Sequence, residues 1–134
     1  MAERPEADYA ILRRVVGATL RGLARDQYLF NGVPSRDCDG SLEMRFDGLA
    51  VVLFLGRDGG FGRLVGRAVV RVEAVIDAWP EPVGVEVVRG WVVRFAGGDF
   101  LAYLNAGDDS RLLLNQLPLH PDPAIRTWIE VVGE

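Results

Sequence analysis

Apolar and polar positions fall into short runs along this chain, and one arrangement of them occurs twice between Gly40 and Asn115. The first copy runs Ser41 to Gly48, then the apolar stretch Leu49 to Leu55, then the turn formers Gly56-Arg57-Asp58-Gly59-Gly60. The second runs Gly90 to Gly97, then Asp99 to Asn105, then Ala106-Gly107-Asp108-Asp109-Ser110. Arg45-Phe46 aligns with Arg94-Phe95, Asp58 with Asp108, and Leu64 with Leu114. Each copy reads as a β-meander, covering about 41–65 and 90–115. Phe46 and Phe95 are expected as matched core positions, with Arg45 and Arg94 as solvated neighbours.

The period of the pattern assigns the other elements. Tyr9, Leu12, Val15 and Val16 recur at helical spacing, so residues 6–16 predict an amphipathic helix between Pro5 and Gly17. Residues 18–30 admit two readings, a continuation of that helix or a strand. Two glycines, Gly17 and Gly22, weigh against the helix at roughly 1 kcal/mol each, and the strand is preferred. Asp47-Gly48 predicts a tight hairpin turn. From Gly66 to Asp77, Ala68, Val70, Val72, Ala74 and Ile76 alternate with Arg67, Val69, Arg71, Glu73 and Val75, which predicts a half-buried strand with one solvated, charged face. Trp79-Pro80-Glu81-Pro82 is a connection, since two prolines so close leave no room for a ladder. Val85 to Phe95 reads as one strand, or two broken at Gly90. Asp122 and Pro123 suit the start of a short final helix with Ile125, Trp128, Ile129 and Val132 on its apolar face.

The sum is an α+β, mainly β domain spanning 1–134. Seven or eight strands form an antiparallel meander sheet, curled or two-layered, with an N-terminal helix and a short C-terminal one. Strands adjacent in sequence are expected to pair.

Composition narrows the functional classes. Hydrophobic residues make up 49% and charged residues 25% of 134, an ordinary globular balance. The longest apolar run is too short to span a bilayer, and no basic-then-apolar leader is present, so a cytoplasmic, membrane-free protein is expected. Every basic residue is arginine, and the net charge is −4. With no basic cluster visible, nucleic acid is an unexpected partner.

Candidate chemistry is sparse. Cys38 and His120 are the only residues of their types, and neither has a context that suggests an activated nucleophile and base. Gly56 to Arg63 imitates a phosphate-cradling loop, but the following residues alternate as a strand, and such a loop needs a helix N-terminus. Asp37-Cys38-Asp39-Gly40-Ser41 supplies only a fragment of a calcium loop. Catalytic residues, cofactors and metals are therefore not expected. The residues singled out for partner binding are the loop acids Asp37, Asp39, Asp58, Asp108 and Asp109, together with Trp79, an aromatic beside a proline in a connection.

The expectation is a non-catalytic binding protein whose acidic loops steer a basic protein partner. In size and charge it is similar to the small acidic immunity proteins that neutralise bacterial toxins. Two alternatives stand beside it: a small-molecule binder or enzyme with a cavity inside a curled sheet, and a homodimer formed through an edge strand.

Overall fold

A computed structural model describes residues 6–25, 29–31, 33–34, 41–54, 61–80, 85–106, 109–118, 120 and 122–134. Helix α1 (Glu6–Val15) comes first, then strands β1 (Leu20–Arg25), β2 (Leu29–Phe30), β3 (Val33–Pro34), β4 (Ser41–Phe46) and β5 (Leu49–Phe54). A 3-10 turn, Phe61–Leu64, leads to β6 (Val69–Ala78), β7 (Glu86–Phe95), β8 (Phe100–Ala106), β9 (Asp109–Leu114) and β10 (Arg126–Gly133). Eight of these strands have six or more residues, and β2 and β3 have two each. All the strand pairs among the described residues are antiparallel. The fold is α+β and mainly β, as the sequence predicts.

The strands form a three-stranded sheet, β1-β4-β5, a five-stranded sheet, β10-β6-β7-β8-β9, and the small β2-β3 pair. Backbone bonds from Gly17 and Leu20 to Val69 and Arg67, and a bridge between Thr19 and Ala68, join the two larger sheets at one corner. The core lies between them. Tyr9, Leu12 and Val15 of α1, Leu20 of β1, and Met44 and Phe46 of β4 pack against Val72, Ala74 and Ile76 of β6 and Phe95 of β7. Apolar burial of this kind is the main favourable term in folding, at about 25 cal/mol per Å² removed from water. The helical stripe read from sequence thus does its work against β10 and β6, and against Trp91 of β7 through Tyr9.

The two copies end in different sheets, and the first is a β4–β5 hairpin beside β1, with Leu64 in the 3-10 turn where its counterpart Leu114 lies in a strand. In the first, Phe46 pairs with Leu49 across the Asp47-Gly48 turn, with Gly48 in the left-handed region at φ 74°. In the second, β7 and β8 pair around Gly97-Gly98, and β9 completes the meander. Phe46 and Phe95 are both buried in the common core. The arginines diverge. Arg45 is exposed and bonds Glu43, whereas Arg94 is largely buried against Glu73 and Phe100. The expectation of a solvated neighbour therefore fails for Arg94, because Glu73 and Val92 beside it are buried and it pairs with the first of them.

Three further expectations are corrected. The alternation in β6 slips by one place at an irregularity between Val69 and Arg71, so Val69 is buried and Val70 is 49% exposed. Its second face is also not solvated: Glu73, Val75 and Asp77 are all buried, Val75 with Val92, Ala102 and Leu104 in a second cluster. The final helix is a strand. Asp122 does cap a turn, its Oδ1 accepting from Ala124 N at 2.9 Å and its carbonyl from Ile125 N, but the turn is not continued. Thr127, Trp128, Ile129, Val131 and Val132 are β-branched or aromatic, and they favour the pleated, half-buried surface beside β6.

That strand also breaks the rule of neighbour pairing, since β10 pairs with β6 and lies at the opposite edge of the sheet from β9. Counting the antiparallel steps makes β9 and β10 parallel to each other. Residues 115–125 must therefore travel the length and the width of the sheet between them.

Candidate functional site

Two of the sequence's oddities, a glycine inside an apolar strand and a long proline-bearing connector, meet at one end of the five-stranded sheet. In β7, Gly90 pairs with Val75 and Val88 with Ile76, so Arg89 is the extra residue of a β-bulge. Gly90 is required there, because a β-carbon would stand 1.9 Å from the carbonyl oxygen of Tyr103.

The bulge places the Arg89 guanidinium against Asp77, which is 2% exposed. Arg89 Nη2 also donates to the carbonyl of Pro118, and Thr127 Oγ1 donates to Asp77 Oδ1 at 2.7 Å. One buried ion pair thereby ties together β6, β7, β10 and the connector. Isolated charges of this kind are tolerated in an interior only when paired and hydrogen-bonded.

Beside this pair lies an apolar cleft of about 220 Å³ between Leu117 and Pro118 of the connector and Thr127, Trp128 and Ile129 of β10. His120 follows in the connector. Its ring sits edge-on to Trp79 with centroids 6.0 Å apart, and its Nδ1 accepts from Asp122 N at 3.0 Å. Trp79 N donates to Val85 O, closing the β6–β7 connection. Trp79, Val85, Val87 and Leu117 are all at least 38% exposed. They make up half of the eight exposed large apolar side chains among the described residues; Val87 is the register partner of Asp77, Trp79 follows Asp77 by two residues, and Leu117 lines the cleft.

Two other charged networks tie elements together. Glu73 is buried on the same face of β6 and pairs with Arg94 and Arg71, and Arg94 stacks on Phe100 at 4.9 Å. At the opposite end, Asp99 takes Arg67 and Arg63 as ion partners and Asn115 Nδ2 as a hydrogen-bond donor. The Asn115 amide holds the Asp99 carboxyl below its ordinary value, helped by the charges of Arg63 and Arg67 and opposed by burial. Asn115 can do this because it adopts φ 58°, with its Oδ1 accepting from Phe100 N.

Of the residues singled out in sequence, Trp79 falls at the cleft end, 42% exposed. Asp37, Asp39, Asp58 and Asp108 lie outside the described residues, as does Cys38. Asp109 begins β9, paired with Ala106, and its side chain lies outside the described set. Among the described residues, no group of three or more His, Cys, Asp and Glu side chains is placed to hold a metal ion, and no helix is long and apolar enough to cross a membrane. Sequence reasoning missed Asp77, Arg89 and Leu117. The available signal was Gly90, since a glycine inside an apolar strand marks a bulge or a close backbone approach.

No protein-family model matches the chain, and no curated protein or solved structure is significantly similar to it.

Proposed function

We propose that this chain is a non-catalytic binding protein that engages another protein through the end of the sheet bearing Trp79, Val85, Val87 and Leu117. The observation that carries this reading is the set of four exposed apolar side chains on the elements tied by the buried Asp77–Arg89 pair, one of which, Leu117, lines the cleft. Exposed apolar side chains grouped on one part of a surface mark interaction sites, and tryptophan is enriched among interface hot spots. The cleft, at about 220 Å³, is smaller than the roughly 300–1,000 Å³ of small-molecule sites. That size suits one anchoring side chain of a partner. The only imidazole in the chain already accepts a backbone hydrogen bond through Nδ1, an arrangement that fixes the connector rather than freeing that nitrogen as a base.

The net charge of −4 favours a basic partner, in the manner of an inhibitor that meets a cationic protein. Tagged wild-type protein and the Trp79→Ala and Leu117→Asp variants, used as bait in the native cell extract at low salt, test the reading. A stoichiometric basic protein retained by wild type and lost by both variants supports it. Equal retention by all three baits, or no stoichiometric partner on any, contradicts it.

A further inference from the structure

We infer that β10 is a self-association edge, through which two copies of this chain pair antiparallel and join their five-stranded sheets into one of ten strands. β10 is the terminal strand of its sheet, eight residues long and without proline. A long edge strand of this kind is a ready template for another strand, and proteins that avoid such pairing shorten, kink or block it. At its far end α1 holds it, Arg13 Nε donating to the carbonyl of Val132 at 3.1 Å, and Thr127 ties its near end to Asp77 of β6.

The occupant is specified by the strand's own sequence, which is self-complementary about Trp128. In an antiparallel pair centred on that residue, Trp128 faces its own copy, Arg126 faces the partner's Glu130, and Glu130 faces the partner's Arg126. Positions 126, 128 and 130 share one face of the strand because side chains alternate. Cross-strand neighbours on one face stand about 5 Å apart, within reach of an ion pair or a ring contact. Moving the centre two residues either way loses this match: centring on Arg126 opposes two arginines, and centring on Glu130 opposes two glutamates. On the other face Thr127 lies opposite the partner's Ile129, beside the cleft whose wall is Leu117. Glu130 also engages its own chain, so the pairing shares that carboxylate rather than capturing a vacant one. Arg126 is exposed, with its guanidinium 5.5 Å from the Trp128 ring, at the margin where the second copy docks.

Sedimentation velocity over a wide concentration range at low salt tests the inference, with circular dichroism confirming that each variant is folded. Wild type is expected as a dimer. Glu130→Arg places arginine against arginine twice, and Arg126→Glu places glutamate against glutamate twice. Each is expected to raise the dimer dissociation constant about tenfold or more. The double variant R126E/E130R restores opposite charges in the same register and is expected to return dimerisation to near the wild-type level. A monomeric wild type at the highest concentration overturns the inference. So does a dimer that neither single variant weakens, or a folded double variant that stays as weak as the singles. Should a charge reversal fail to fold, Glu130→Gln replaces it, with a smaller weakening expected and an unchanged dimer counting against the pairing.

Discussion

Gly90 and Tyr103 approach so closely that a single β-carbon on Gly90 would stand 1.9 Å from the Tyr103 carbonyl oxygen. The obstacle is backbone, so it cannot rotate away. Gly90→Ala must therefore push β7 from β8 or undo the bulge that presents Arg89. We expect a loss of about 3 kcal/mol, read as a fall in the denaturant midpoint, together with lost contact between Trp79 and His120 in NMR spectra. A stability within a few tenths of wild type would mean that the bulge is not held in place by this contact.

The Asp77–Arg89 pair gives a sharper test, because its members behave differently singly and together. Arg89→Met leaves a buried carboxylate with only the Thr127 hydroxyl, and Asp77→Leu leaves a buried guanidinium. Each is expected to destabilise by about 3–5 kcal/mol. The double variant removes both charges and is expected to lose less than the sum of the two. Thr127→Val removes one neutral donor and is expected to cost about 1 kcal/mol. Chemical denaturation of wild type, the two single variants of the pair and their double variant closes the double-mutant cycle that decides the matter, with Thr127→Val measured beside it.

The two aligned arginines should respond unequally despite occupying the same place in the repeat. Arg45→Ala removes an exposed pair with Glu43 and is expected to change stability by less than about 0.5 kcal/mol. Arg94→Ala strips Glu73, itself 5% exposed, of its closer partner. It is expected to lose about 2 kcal/mol, with Arg71 offsetting part of the loss. Thermal denaturation of the two variants side by side measures the difference.

Asp99 makes stability depend on acidity in a defined direction. Its carboxyl titrates below the ordinary value in the folded chain, chiefly through the Asn115 amide. A carboxyl depressed in this way stabilises the fold at every pH above its unfolded value of about 3.9, and that contribution is lost as pH falls from there through the folded value. Asn115→Gly keeps the left-handed backbone available while removing the amide. It is expected to raise the Asp99 pKa, measured by carbon-13 titration of the carboxyl, and to flatten the acid side of the stability curve. An unchanged titration would assign the depression to Arg63 and Arg67 alone.

The element types were legible in sequence wherever one periodicity ruled. The stripe of Tyr9, Leu12 and Val15 gave α1, and Asp47-Gly48 gave its hairpin. Where two signals competed, local reading failed. Asp122 and Pro123 form a sound helix start, yet the chain beyond them is a strand because Trp128 and Ile129 gain more against β6 than one continued helical turn offers. The bulges at Val70 and Arg89 were invisible because each shifts the face of a side chain by a single position. The cleft was hidden for a different reason. Leu117, Asp77, Arg89 and Thr127 are far apart in the chain and meet only because residues 115–125 cross the sheet, which no local pattern records. The exposure of Trp79 was legible, since a tryptophan beside a proline in a connection has little strand or helix to hide in.

Site-specific photo-crosslinking tests the proposed binding end most directly. A benzophenone side chain is placed at Trp79 in one version of the protein and at Arg45, exposed on the other sheet, in a second, and each is irradiated in the native cell. The result expected is a discrete crosslink to one basic polypeptide from position 79 and none to it from position 45. Equal labelling from both positions, or no heterologous crosslink from position 79, would contradict a partner surface at this end of the molecule.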